Sequence, residues 1–265
     1  MMNSIYHIKC RTHLHVGSGD NNYGVIDKMV QRDPTDKLPC IYSSSLKGAI
    51  REYFEVAHSD QVESIFGNET KSSVVFHQAH LLSIPVRSNA IPYFNVTCPQ
   101  IIDDFIDRVE FLEVGNVEMV NALNQLKAKM QKKKIVHFEA DLMGSVSIED
   151  YRNSAVVKDT LSESKLLESV MGSHIAIVDN GDFIRMTDNY NLPIIARNKL
   201  ENGESQNLWY EQIVPRESRF YFATTTTPGH EAQAEQFYDR IGKRNKIQIG
   251  ANATIGYGLC ELNKL

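Results

Sequence analysis

An α+β fold is predicted by three features of the 265-residue sequence. Residues 6–16 alternate with a period of two, as a strand does. Leu46, Ile50, Phe54 and Ala57 form a stripe at helical spacing behind three serines. Strand-like and helix-like stretches then interleave to the end of the chain, with a long hairpin marked by Asn202-Gly203.

Composition narrows the function classes. The chain is 42% hydrophobic and 23% charged, which supports a real core and argues against disorder. No apolar run nears the roughly 18 residues that span a bilayer. The N-terminus enters a strand pattern without a signal-peptide core, so neither a membrane partner nor export is expected. The four cysteines are scattered with no CxxC pair, which argues against a zinc site or a disulfide framework and for a reducing, cytoplasmic setting. A net charge of −5 argues against a uniformly basic surface, so a nucleic-acid partner would need locally clustered cations.

In the strand at 6–16, Tyr6, Ile8, Cys10, Thr12, Leu14 and Val16 share one side and His7, Lys9, Arg11, His13 and His15 the other. The second side reads either as a solvated face or as a sheet surface offered to a polyanion. Gly17, Gly19 and Gly24 lack the spacing of a dinucleotide fingerprint or a phosphate loop. Residues 25–30 form a short extended segment with Asp27 in its middle, and Asp33-Pro34 opens a turn. Ser43-Ser44-Ser45 reads as a serine N-cap for a helix from Leu46 to about Ala57. Lys47 and Arg51 are cations where the helix dipole disfavours them, which a phosphate above them would explain.

A short helix follows over about 60–66, then a buried strand over 74–86 closed by Pro85, which forms a hairpin with 92–97. Pro99 opens a helix to about Leu112, and a helical stretch over 117–133 ends in the basic run KAKMQKKK. Strands at 135–148 and 174–178 surround a helix at 162–171. A helix from about His230 to Lys243 ends in Arg240, Lys243, Arg244 and Lys246. The tail reads as strand, glycine loop, strand. Gly250, Gly256 and Gly258 would let backbone N–H groups approach a phosphate there.

Seven blocks carry a family resemblance: HLHVGSG (13–19), GVID with QRD (24–33), LPCIYSSSLKGAIR (38–51), FHQAHLLSIPVRS (76–88), VTCP (96–99), NLWYEQIVP (207–215) and IGANATIGYG (249–258). In them the chain resembles the RAMP superfamily of CRISPR proteins, and within it the backbone subunits of type III-B (Cmr) effector complexes. It departs from that pattern in IYSSS, where the family usually has Pro-Gly before its serines, and in IGAN, which lacks a glycine common in the loop.

The resemblance implies a ferredoxin-like (RRM-like) palm with inserted helical segments and a projecting thumb β-hairpin. Residues 1–265 would form one RAMP domain with inserted or thumb segments at about 84–134 and 150–210. The thumb would be the hairpin at 195–210, favoured here, or the one at 84–97. Implied partners are a CRISPR guide RNA, a target RNA, further copies of the chain in a helical filament and other subunits of the Cmr complex. The implied activity is metal-dependent endoribonuclease cleavage of the target at regular intervals.

The family's catalytic aspartate maps to Asp27, with His15 and Glu211 as candidate helpers. Guide contacts map to Ser44, Ser45, Lys47 and Arg51, to Gly250, Asn252, Gly256, Tyr257 and Gly258, and to Arg244 and Lys246 just upstream. A divalent cation, Mg2+ or Mn2+, is expected at Asp27 only with RNA bound, because one carboxylate makes a weak site. Asp27 alternatively takes the 2′-OH proton as a general base. Three rival readings stand beside this one: a guide-coating subunit that does not cut, a guide-processing endoribonuclease using His13 or His15, and a metal hydrolase using His13, His15 and Asp27.

Overall fold

The computed structural model describes all residues except 1, 20–23, 69–70, 132–133, 143, 151–155 and 163, together with the side chain of Lys243. The elements run β1 (Asn3–Cys10), β2 (Cys40–Ile41), α1 (Ser43–Ala57), α2 (Val62–Phe66), β3 (Val74–Phe76), β4 (Ala79–Arg87), β5 (Tyr93–Thr97), α3 (Pro99–Phe111) and α4 (Val117–Ala128). They continue through β6 (Ile135–His137), β7 (Val156–Lys158), α5 (Ser164–Met171), β8 (Ile175–Ile177), α6 (Asn180–Met186), β9 (Ile194–Glu201), β10 (Glu204–Gln212), β11 (Arg219–Thr226), α7 (Glu231–Arg240), β12 (Lys243–Gln248) and β13 (Leu259–Lys264).

Strand β1 pairs antiparallel with β11 on one side and β13 on the other, so the first and last strands meet inside one sheet. That sheet runs β12-β13-β1-β11-β4-β5-β8-β6-β7, with β2 added to β4 and β3 to β11. Tyr6 stacks on Phe222 at 5.1 Å and meets Phe237 of α7 edge-on at 6.1 Å. The next residue, His7, faces the Val170 backbone of α5. Neighbouring side chains of a strand point to opposite faces, so α7 and α5 cover opposite sides of the sheet. With α7 lie Phe54 of α1, Phe66 of α2 and Phe76 of β3; Phe54 stacks on Phe237 at 5.7 Å and Phe66 on Phe76 at 5.5 Å. On the other side Phe105 of α3 packs on Tyr221 at 4.7 Å. This is the α+β architecture expected from the sequence.

Burial on both faces corrects the expectation of a basic sheet surface. His7 and His15 are each 3% exposed. Lys9 pairs with Glu217 at 2.9 Å and Arg11 pairs with Glu261. Burial, with Arg219 close by, pushes the His7 imidazole down to about 3, so it is neutral in the core. Alternation marks polar residues on the second side, but it does not reveal that a helix lies over them. The strand also stops at Cys10, and residue 14 continues only as a single bridge to Val214.

Other boundaries move for local reasons. Helix α1 begins at Ser43 with Tyr42 as its N-cap, so the serines fill the first turn instead of capping it. Pro85 lies inside β4, opposite Asn95 of β5. It is tolerated because β11 pairs with β4 only as far as Ser83, leaving Pro85 with a neighbour on one side. Helix α4 ends at Ala128, and the strand predicted over 135–148 reduces to β6 and a bridge between Ser88 and Ile148. Helix α7 ends at Arg240, and Gly242, at φ +94°, turns the chain into β12. Arg244 and Lys246 therefore lie on a strand, not at a helix C-terminus. Lys132 and Lys133 of the basic run, Met143 of the predicted strand and Glu163 of the predicted helix lie outside the described residues.

Strands β9 and β10 form a separate two-stranded sheet. Asn202 (φ 52°) and Gly203 (φ 85°) make the left-handed turn that Asn-Gly favours. Residues 198–208 are all exposed. The hairpin of β4 and β5, by contrast, is built into the main sheet. Among the described residues no helix is long and apolar enough to cross a membrane.

Candidate active site at the base of the hairpin

The segment around Asp27 is pinned by its apolar neighbours. Ile26 and Val30 are buried, while Asp27 and Lys28 between them are exposed. Backbone hydrogen bonds clamp the segment on both sides. The amides of Asp27 and Lys28 both donate to the Tyr210 carbonyl at 3.1 Å, and the Gln212 amide donates to the Lys28 carbonyl at 2.9 Å. Opposite, the Ser18 amide donates to Met29 at 3.0 Å and the Gln31 amide to Val16 at 2.8 Å. Asp27 Oδ2 accepts the Tyr210 amide at 2.7 Å. That bond fixes the carboxylate on the edge of β10 while the residue stays exposed.

One residue further along β10, Glu211 is buried at 1% exposure. Its Oε1 accepts Lys28 Nζ at 3.1 Å and Trp209 Nε1 at 2.9 Å. Its Oε2 accepts Asn252 Nδ2 at 2.9 Å and Arg197 Nη1 at 3.4 Å. Burial alone would push this carboxyl up, but donation by Trp209, Lys28 and Asn252 outweighs it and holds the group below its ordinary range. Glu211 thus ties the Asp27 segment, the hairpin and the glycine loop together as an ionised anchor. Lys28 Nζ also stands 5.1 Å from the centre of the Trp209 ring, and the Arg197 guanidinium 5.9 Å from it.

His15 is buried beneath the glycine loop. Its Nδ1 lies 2.7 Å from the Gln212 carbonyl oxygen and must donate, because a carbonyl only accepts. Half-buried His13 accepts the Arg216 amide at Nδ1 (3.2 Å), and its ring meets Tyr257 edge-on at 6.0 Å.

The loop's glycines serve packing first. A Cβ on Gly250 would sit 2.4 Å from the His15 carbonyl oxygen, and one on Gly258 would sit 2.1 Å from that of Ile249. The Gly258 amide donates to His13 (2.7 Å) and the Gly256 amide to Ala253 (2.9 Å), so these two N–H groups serve the fold. This corrects, for those positions, the expectation of amides held open for phosphate. Gly256 alone of the three faces open space.

The remaining candidates divide. Gln31 binds the start of α1 to the Asp27 segment, donating to Ser45 Oγ at 2.9 Å and accepting the Tyr42 amide at 2.7 Å. Ser44 is exposed, and Lys47 is half-buried with its pKa lowered by burial and by Arg51. Arg51 is engaged by Glu55 (2.9 Å) and the Gly67 carbonyl (3.1 Å). Arg244 pairs with Glu261 at 3.3 Å, and Lys246 is exposed. The structure therefore gathers Asp27, Glu211, His15 and Asn252, with Ser45 joined through Gln31, whereas Arg51 and Arg244 are engaged in ion pairs. Sequence reasoning missed Lys28, Trp209, Arg197, Gln31 and Gln212. Only Trp209 carried a signal, since i and i+2 share a strand face with Glu211.

Among the described residues no group of three His, Cys, Asp or Glu gathers as metal ligands. Both oxygens of Glu211 are occupied, which leaves Asp27 as the one carboxylate of this network that faces solvent. The donors of the described residues do not form a cage for a divalent cation.

Residues 7–261 match the family model described as the RAMP superfamily. The chain belongs to the RAMP superfamily. Among RAMP relatives, it is 27% identical over 273 residues to the CRISPR system Cmr endoribonuclease Cmr4 of Pyrococcus furiosus, spanning 95% of this chain and 92% of that protein. Its fold matches a chain of the cryo-EM structure of type III-B Cmr-beta bound to cognate target RNA with a TM-score of 0.81 at 24% identity, covering 100% of this chain and 97% of that one. It also matches the crystal structure of oligomeric Cmr4 from Pyrococcus furiosus with a TM-score of 0.74 at 20% identity, covering 100% and 99%. The main sheet with its helices is accordingly the ferredoxin-like RAMP palm, and β9–β10 is the hairpin that stands out from it.

Proposed function

We propose that this chain is a backbone subunit of a type III-B CRISPR ribonucleoprotein: stacked copies line a guide RNA, and each copy cuts the complementary target RNA as an endoribonuclease. The observation that carries the reading is Asp27, an exposed carboxylate fixed by a main-chain amide at the foot of a hairpin that leaves the palm. The name of the Pyrococcus furiosus relative supports the reaction class, and the RNA-bound and oligomeric neighbours support the RNA and self-association partners. A cytoplasmic setting and contact with other Cmr subunits belong to the same proposal.

RNA supplies its own nucleophile, so the protein's task is to align it. A hairpin that displaces one target nucleotide from the stack brings that 2′-OH in line with the adjacent phosphate. The 2′-oxygen bonds to phosphorus while its proton passes to the Asp27 carboxylate. The P–O5′ bond breaks, the 5′-oxygen takes a proton from water, and Asp27 returns its proton to solvent. The hairpin at 194–212 is the thumb in this reading. The open first turn of α1, with Ser44, Ser45 and Lys47, lies with Lys246 and the glycine loop toward the guide backbone. The divalent cation expected at Asp27 belongs to the RNA-bound state, where phosphates and water supply the ligands that the described residues do not.

The test is reconstitution with guide RNA and a labelled complementary target. Cuts at regular spacing are expected, and Asp27→Ala should abolish them while guide and target remain bound. Cleavage retained in that variant would refute the assignment.

A further inference from the structure

Lys28 carries a charge that the anchoring of Asp27 does not require. Asp27 is held by the Tyr210 amide, and Glu211 already has Arg197, Trp209 and Asn252 as partners. Yet Lys28 is kept in place at two points, by Glu211 at 3.1 Å and by the Trp209 ring at 5.1 Å, while its side chain stays 54% exposed. An ammonium has three donors, and Glu211 takes one of them. A cation one residue along the chain from the exposed Asp27 is thus held with donors to spare, on a partner that is itself almost fully buried.

We propose that Lys28 is a catalytic residue that contacts the scissile phosphate of the target RNA and neutralises the negative charge that builds there as the 2′-oxygen attacks. The proposal rests on the reading of Asp27 given above. As the new O–P bond forms and the P–O5′ bond breaks, the phosphoryl group passes through a state richer in negative charge than the ground state. A fixed cation stabilises that state most, because its orientation has been arranged before the reaction. The ammonium keeps its protons throughout, and the proton balance remains that of Asp27 and water. Glu211 is a positioning residue here, since it reaches the phosphate only through Lys28. Lys47 has a different place, on the first turn of α1, and serves the guide.

The experiment uses the assembled complex with guide RNA and saturating target under single turnover. Lys28→Met should slow cleavage by about 100-fold, the scale set by removal of one stabilising donor, with target affinity unchanged within about 3-fold. Contact is tested separately with Lys28→Cys and targets that carry a thiol tether on one phosphate; the four native cysteines are all buried and do not compete. Disulfide capture should occur at the scissile phosphate and not at a phosphate two nucleotides away. A Lys28→Met rate within about 3-fold of wild type, a loss confined to target affinity, or equal capture at both phosphates would each overturn the proposal. Asp27→Ala separates the two readings: if it still cuts, the proposed function fails, and if it is inactive while Lys28→Met runs at full rate, only the role of Lys28 fails.

Discussion

At the scale of single residues, Asp27 and Glu211 show how two carboxylates one strand position apart take different work from their surroundings. Asp27 accepts one amide and faces solvent, whereas Glu211 accepts four donors and is buried. Glu211→Ala would strand Arg197 and Lys28 without their anion and free Asn252. It should destabilise the protein by about 1–2 kcal/mol, less than for a fully buried pair because Lys28 and Arg197 keep access to solvent. Glu211→Gln, which keeps a carbonyl acceptor, should cost roughly half as much. Urea unfolding of the isolated chain reads both. A Glu211→Ala variant as stable as the parent would contradict the anchor described here. The sequence marked both acids as candidates but could not rank them, because ranking depends on donors contributed from residues 28, 197, 209 and 252.

At the scale of elements, the glycine loop and β1 each carry a prediction. Gly258→Ala would drive a Cβ into the Ile249 carbonyl oxygen at a position with φ +76°, whereas Gly256→Ala meets open space at φ +84°. The first should cost about 3 kcal/mol or more and the second about 1 kcal/mol, the backbone strain alone. Thermal or chemical denaturation of the pair separates packing from conformational strain. For β1 the expectation concerns pH. Burial and Arg219 hold His7 down to about 3 in the fold, against about 6.5 in an unfolded chain. Below pH 6.5 the unfolded state binds a proton that the folded state refuses. The stability contributed by the neutral ring is therefore complete above that pH and is lost as pH falls toward 3, at up to about 1.4 kcal/mol per unit. The urea midpoint should fall from pH 6.5 to pH 4, and His7→Gln should remove part of that slope. His80, held at about 4 by burial and Arg108, accounts for a further part. Periodicity found this strand and the helix at α1, because local sequence controls both. It misread the imidazole face of β1, because the cover comes from α5, more than 150 residues later in the chain.

At the scale of the whole molecule, β1 is sandwiched between β11 and β13, and the hairpin leaves the palm just before β11 begins. Replacing 198–208 with a two-residue Asn-Gly turn should leave the palm's thermal stability within about 1 kcal/mol, since those residues are exposed and pair only with each other. In the reconstituted complex the same change should abolish regularly spaced cuts while guide binding persists. Loss of folding on this truncation, read by circular dichroism, would show that the hairpin supports the palm.

The sequence by itself determined the α+β class, the Asn-Gly hairpin, the helix behind Ser43-Ser44-Ser45 and the candidate acid at Asp27. Each of these is written in local periodicity, in turn chemistry or in motif blocks that survive without neighbours. Only the tertiary structure decided that His7 and His15 are internal, that Gly250 and Gly258 serve packing, and that Lys28, Trp209, Arg197 and Asn252 converge on Glu211. Those facts depend on contacts between segments up to some 240 residues apart, such as His13 with Gly258. A carboxylate's role is set by the donors that reach it, and those donors are brought together only when the chain closes its sheet.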